Sequence, residues 1–369
     1  MELWPGYSPG ACSESAGAKI LVACGDTFLE VEFLVGGTKA GALYGEAPVF
    51  QEGMRGSFCL EQGYMKNIKK TTIVGMGALG LLYGSFLIDA GEEVRYVMDP
   101  ERLAKYRGSV FYLNGNPFYP PMISCEEAQP ADLVIVAVKY PGFASAMDTI
   151  RTSVGAGTIL MSVMNGISSE ELLSERYGQE HLIYTVAQGM DAMRFGKELN
   201  YTVMGDLRIG AKEECQKENV ATVARFFDRT GMPYVVEEDI LHRLWGKLML
   251  NVGVNQTCMV YETTYGGVLL KGEANRTMIA AMREVIAIAR AEGIGIDEAD
   301  LNEYIEILGK LSPDNMPSMR QDALSRRPSE VELFAGTVLR LAKKHGILVP
   351  ANEFLYERIQ EMEKDYQAV

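Results

Sequence analysis

Residues 71–80 read Thr71-Thr72-Ile73-Val74-Gly75-Met76-Gly77-Ala78-Leu79-Gly80. A β-branched, apolar run leads into glycines spaced G-x-G-x-x-G, and a mostly apolar stretch continues to Ala90. This order predicts a strand, a tight turn and a helix over Ala78–Ala90. In such a unit Gly75 permits the turn, Gly77 lets the backbone approach a pyrophosphate, and Gly80 allows the helix to lie close to the strand. The first helical residues, Ala78 and Leu79, offer free N–H groups and the positive end of the helix dipole to an anion. A glycine turn alone also serves plain tight packing, so its surroundings decide. A second strand, Glu93–Met98, runs into Asp99, about twenty residues on, where an acid accepts a bond from a ribose 2′-OH. Asp99 suits NAD, whereas Arg102, three residues later, suits a 2′-phosphate. Both residues read equally well as capping and surface charge on the next helix.

Strands and helices continue to alternate. Pro100-Glu101-Arg102-Leu103 starts a helix, and Asn114-Gly115 marks a hairpin turn. Asp132–Lys139 and Thr158–Met164 are apolar runs of the kind buried on both faces of a parallel sheet. More strands fall within His181–Arg208, then a helix over Asn219–Thr230 and a strand at Pro233–Val236. Past residue 239 the pattern is helical, over 240–260, 273–293, 298–311, 329–345 and from about 351 onward. The fold expected is an α/β Rossmann-type dinucleotide-binding domain (65–238) followed by an all-α C-terminal domain (239–369). Residues 1–64 are glycine-rich and acidic, with strand-like content only at Ile20–Val35. Met65-Lys66-Asn67-Ile68-Lys69-Lys70 then resembles a domain start. The expectation is that Met65 is the functional start, or that 1–64 is a loosely ordered appendage.

The charge balance narrows the function. Lys and Arg total 35 against 49 Asp and Glu, a net charge of −14, which disfavours nucleic acid and anionic membranes as partners. Residues 71–88 carry no charge and contain Gly80-x-x-x-Gly84, a pattern also used by membrane helices. Their length is marginal for a span, and they split naturally into strand, turn and helix. Six scattered cysteines and three histidines offer neither a disulfide framework nor a metal set, and a reduced cytoplasmic setting is expected.

Within 244–255, Lys247, Asn251 and Asn255 recur every four residues among apolar side chains and glycines, so they share one helix face. Either that face is solvated, or it borders a ligand cleft that partners its polar groups. In a cleft, Lys247 is a candidate proton donor, with Trp245 and Met249 as an apolar wall that excludes water. Lys139 and Asn165 end two buried strands, where ligands of such sheets bind, though Asn165-Gly166 also reads as a turn.

These residues sit in a longer resemblance. The segments IVGMGALG (73–80), VAVKY (136–140), MNGI (164–167), LWGKLMLNVGVNQ (244–256), NMPSMRQD (315–322) and RRPSEVELFAG (326–336) are similar, in order and spacing, to those of the ketopantoate reductase (2-dehydropantoate 2-reductase) family. The resemblance covers about residues 68–365 and leaves 1–64 outside. It implies hydride transfer from NADPH to 2-dehydropantoate in a cleft between two domains. It also implies Lys247 as general acid, Glu330 as a substrate-orienting partner, and Asn251, Asn255 and Ser318 as hydrogen-bond partners of the 2-oxo acid, with Asn315 joining Ser318. Asn165 and Lys139 would lie at the nicotinamide and substrate, with Glu330 beside the cofactor. Family members often carry Arg where this chain has Asp99, so NADH stays open beside NADPH. Ser329 precedes Glu330 where Thr is common. A reductase of another 2-oxo acid, or a non-catalytic NAD(P)H sensor, are the competing readings. The expected partner is a small 2-oxo acid, in a monomer or homodimer.

Overall fold

The computed structural model divides the chain into Met1–Met65 and Lys66–Val369. It describes residues 67–366 in full and, in the first unit, the backbone of one antiparallel hairpin, β1 (Gly17–Cys24) with β2 (Thr27–Leu34). The expectations for 1–64 otherwise lie outside the described residues.

The second unit is built on an eight-stranded sheet. In chain order its strands are β3 (Lys70–Val74), β4 (Glu93–Met98), β7 (Met122–Ser124), β8 (Leu133–Val136), β9 (Ile159–Ser162), β10 (Leu182–Gln188), β13 (Asp206–Gly210) and β14 (Tyr234–Val236). Their spatial order is β14-β13-β10-β9-β8-β3-β4-β7, parallel throughout except where β10 meets β13. A small second sheet holds β5 (Phe111–Leu113), β6 (Asn116–Phe118), β11 (Met193–Phe195) and β12 (Glu198–Asn200). Asn114 and Gly115, at φ 47° and 80°, make the tight turn between β5 and β6. β3 has β4 on one side and β8 on the other, so the winding reverses there. The crevice beyond the carboxyl ends of these strands is where such sheets bind ligands.

The helix after the glycine turn runs over Ala78–Asp89. A Cβ on Gly84 would lie 2.0 Å from the Tyr96 hydroxyl oxygen. Tyr96 instead packs beneath the helix and donates to the carbonyl of Gly80 at 3.0 Å. The Gly80-x-x-x-Gly84 spacing thus serves a contact within this unit. Among the described residues, no helix is long and apolar enough to cross a membrane.

Residues from Ile240 onward are helical, around a core that includes Met249, Val252, Met259, Met282 and Phe334. Two expected continuous helices contain a widened π turn. One runs Ile240–Leu250, π over Asn251–Asn255, then Gln256–Val260; the other is π over Glu332–Gly336, then Thr337–His345. Buried Gln256 ties the two turns, donating to Val252 O at 2.8 Å and accepting from Ala335 N at 3.1 Å. The buried strands are shorter than their apolar runs, since Ala137–Lys139 and Val163–Met164 leave the sheet to form the crevice walls.

Candidate active site

One cavity of about 1340 Å³ opens at the crevice and continues between the sheet and the helical half. It exceeds the several hundred Å³ usual for one small ligand, leaving room for a dinucleotide and a second molecule. Of the residues singled out from sequence, Gly75, Gly77, Ala78, Leu79, Asp99, Arg102, Lys139, Asn165, Lys247, Asn251, Asn255, Asn315, Ser318 and Glu330 all line it. Gly80 does not; its Cβ would meet the Gly75 carbonyl oxygen at 2.1 Å, so it seats the helix on the turn.

The glycine turn fits a dinucleotide. Gly75 has φ +104°, and a Cβ there would sit 2.3 Å from the Ala137 carbonyl oxygen. A Cβ on Gly77 would meet only that oxygen, at 3.7 Å, so this glycine keeps the cavity side open. The following helix has no side-chain cap, which leaves its first N–H groups to a ligand. Asp99 caps the short helix Pro100–Tyr106 by accepting from Arg102 N at 2.8 Å, and pairs with the Arg102 guanidinium at 3.4 Å. Capping and cavity lining are therefore both true of this pair.

The polar stripe lies in the cleft. Lys247 Nζ donates to the carbonyl of Ala187, in β10, at 2.5 Å. Burial pushes its pKa down to about 8, against an upward pull from the negative charge of Glu330. Asn251 and Asn255 are buried on the π turn, 3.5 Å apart between side-chain N and O. Widened turns of this kind often mark functional sites. Across the cleft, Asn165 Nδ2 donates to Glu330 Oε2 at 3.1 Å. Lys139 Nζ reaches buried Asp322 at 2.7 Å, and Arg327 takes the other carboxylate oxygen at 2.9 Å. Asn315 and Ser318 are exposed at the mouth, Ser318 opening the helix Ser318–Leu324.

Trp245 and Met249 do not form the expected apolar wall. They face the helical core, because they project from the opposite side of the helix to Lys247. Leu250, Val254, Tyr265, Tyr304 and Leu308 take that place. Sequence reasoning also missed Arg243 and Arg194. Arg243 stands four residues before Lys247, so extending the stripe by one step finds it. Arg194, which donates to the Met76 carbonyl, comes from a short edge strand with no periodic signal.

The sequence profile "Ketopantoate reductase PanE/ApbA" matches residues 71–214, and the profile of that family's C-terminal part matches 239–363. The chain belongs to the ketopantoate reductase family. It is 24% identical over 305 residues to the 2-dehydropantoate 2-reductase of Vibrio cholerae, covering 80% of this chain and 98% of that one. With the Aquifex aeolicus 2-dehydropantoate 2-reductase it shares 26% over 309 residues, 80% of this chain and 97% of the relative. A crystal structure of a PanE/ApbA family ketopantoate reductase from Ralstonia eutropha superimposes with TM-score 0.71 at 25% identity, covering 81% and 99%. D-mandelate dehydrogenase with NADH and anilino(oxo)acetate has the same fold, at TM-score 0.73, 19% identity and the same coverages. Ketopantoate reductases belong among the NAD(P)H-dependent 2-oxo acid reductases, and the family uses NADPH.

Proposed function

We propose that this chain reduces 2-dehydropantoate to pantoate with NADPH, with Lys247 as the general acid. The observation that carries this reading is that the Lys247 ammonium, anchored on Ala187 O, opens into the same cavity as the glycine turn and the Asn251–Asn255 pair. A dinucleotide bound at Gly75–Leu79 supplies the hydride. Residues 65–238 hold that cofactor, residues 239–369 handle the 2-oxo acid, and 1–64 lie outside the reaction.

Negative charge develops on the ketone oxygen as the carbonyl carbon is reduced. An ammonium with a pKa of about 8 is charged at neutral pH, yet gives up its proton more readily than an ordinary lysine. Ala187 O takes one of its three N–H bonds and fixes the direction of the others. Asn251, Asn255 and Ser318 bind the carboxylate and hydroxyl groups of the acid, with Asn315 beside Ser318. Glu330 orients the acid and, through Asn165, ties the two walls of the cleft together. Against the global charge of −14, the cavity-lining cations Arg102, Lys139, Arg194, Arg243 and Lys247 supply the local attraction for anionic ligands.

The test is steady-state oxidation of NADPH and NADH with 2-dehydropantoate and a panel of other 2-oxo acids. Preferential turnover of 2-dehydropantoate with NADPH is expected. Preference for an aryl or other 2-oxo acid would move the chain to the substrate class of its D-mandelate dehydrogenase neighbour. Cofactor binding without turnover of any 2-oxo acid would make it a sensor and end the enzymatic reading.

A further inference from the structure

Glu170 is a carboxylate that the mechanism above does not use. It is 1% exposed, the second residue of the helix Ser169–Tyr177, just after the Asn165 loop. Its Oε2 accepts from the Ser169 hydroxyl at 2.8 Å. Ser169 Oγ in turn accepts from Ser162 Oγ at 2.9 Å, and Ser162 Oγ accepts from the N–H of Met164 at 3.3 Å. With Glu170 ionised, the chain has one direction. An ionised carboxylate only accepts, so Ser169 must donate to it and is left free to accept from Ser162. Ser162 thereby spends its proton and turns a lone pair to Met164 N–H. Met164 and Asn165 both line the large cavity, and Asn165 holds Glu330.

The same carboxylate has a second arm. Its own backbone N–H and that of Thr185 face it and favour its charged form. The pairing of β9 with β10 ends at Met161↔Ile183, so on that side the Thr185 backbone lies past the end of the ladder, while its other side pairs with Ile209 of β13. Two residues further along β10 is Ala187, whose carbonyl anchors Lys247. Both arms thus end at groups that the proposed reaction needs in register. Burial pushes the Glu170 carboxyl up to about 7, the ordinary outcome for an enclosed acid, with the Ser169 hydroxyl and the facing backbone N–H groups acting against that rise.

We infer that Glu170 is a positioning residue that clamps the Met164–Asn165 loop and the Ala187 end of β10 against each other, holding Asn165 and Lys247 at their working separation. The inference rests on the reading under Proposed function for its kinetic consequence, and on geometry alone for its structural one. A misplacement of about 1 Å at reacting groups lowers rate by about 10²-fold.

The experiment compares wild type, Glu170→Ala and Ser162→Ala, the second removing the Ser162 hydroxyl with its bonds to Ser169 and Met164 but leaving the Glu170 carboxylate. Backbone hydrogen exchange without ligands is expected to speed up around 162–166 in both variants, and around 183–187 in Glu170→Ala alone. With 2-dehydropantoate, kcat should fall about 10²-fold in Glu170→Ala and less in Ser162→Ala, with the NADPH Kd within about threefold. The primary isotope effect from NADPH deuterated at C4 should rise, since hydride transfer becomes slower relative to release steps. A smaller folded fraction lowers kcat without moving that ratio. Unchanged exchange at both segments, or an unchanged isotope effect alongside lost activity, overturns the inference. If Glu170→Ala does not fold, Ser162→Ala decides by the same two measurements. A wild type that turns over no 2-oxo acid removes the reading of function, while the exchange result still stands or fails by itself.

Discussion

Asn165 Nδ2 and Glu330 Oε2 stand 3.1 Å apart, joining the loop after β9 to the helical half of the molecule. Glu330 is 8% exposed, and its charge raises the pKa of Lys247 against the larger, opposite effect of burial. Glu330→Gln keeps an amide oxygen for Asn165 but removes that charge. The Lys247 pKa then falls below about 8. Because the acid form is the protonated one, the basic limb of the kcat profile is expected to move to lower pH. A pH–rate comparison checks it; a limb that stays in place would separate Glu330 from the proton donor.

Lys247→Met should lower kcat by about 10²–10⁴-fold while the NADPH Kd changes by less than about twofold. The same substitution should raise stability near pH 7. A folded pKa of about 8 lies below the ordinary 10.5, so between those values the unfolded chain holds a proton that the folded chain does not. Stability therefore rises with pH across that window, and the full penalty is present below it. Lys247 keeps partial exposure to the cleft, which screens the penalty to about 1 kcal/mol. Melting at pH 7 is expected about 2–4 °C above wild type, the gap closing toward pH 10. A lower Tm at pH 7 would mean that the bond to Ala187 O outweighs burial.

Cofactor preference is expected to turn on Asp99 and Arg102. Asp99→Asn retains a side-chain oxygen to cap Arg102 N, so the helix start survives. It frees Arg102 from its ion pair at 3.4 Å and removes a negative charge from the cavity wall. The NADPH KM should fall about two- to fivefold, in line with exposed charge pairs, with little change for NADH. Arg102→Ala should raise the NADPH KM alone. Equal shifts for both cofactors would place neither residue at the 2′ position.

Much of the fold was legible because its signals are local. The glycine turn, the two apolar runs ending at Lys139 and Asn165, and Asn114-Gly115 each encode a backbone geometry within a few residues. The π turns at 251–255 and 332–336 were not legible. They are joined by Gln256 accepting from Ala335 N, 79 positions away, a contact that no periodicity contains. Trp245 was misplaced for a related reason. Its side of the helix is apolar, and apolarity does not distinguish a cleft wall from a core; only the packing around Met249 and Phe334 decides. Asp322 lay inside a quoted motif, but its role in holding Lys139 and Arg327 together requires three segments brought into contact.

The two glycines of the turn should fail differently. Gly75→Ala places a Cβ 2.3 Å from a backbone oxygen, at φ +104°, which side chains rarely adopt. Backbone must shift, so it should destabilise the protein by about 1–3 kcal/mol and abolish NADPH binding as the turn opens. Gly77 has φ −71°, an ordinary value, and its added methyl meets only Ala137 O at 3.7 Å. Gly77→Ala should therefore melt within about 1 °C of wild type, since the fold has room for it. Its methyl projects where the backbone must approach a pyrophosphate, so the NADPH Kd should rise at least about tenfold. Calorimetry and NADPH fluorescence titration on both variants separate the cases. If Gly77→Ala binds NADPH like wild type, the pyrophosphate does not lie against this turn.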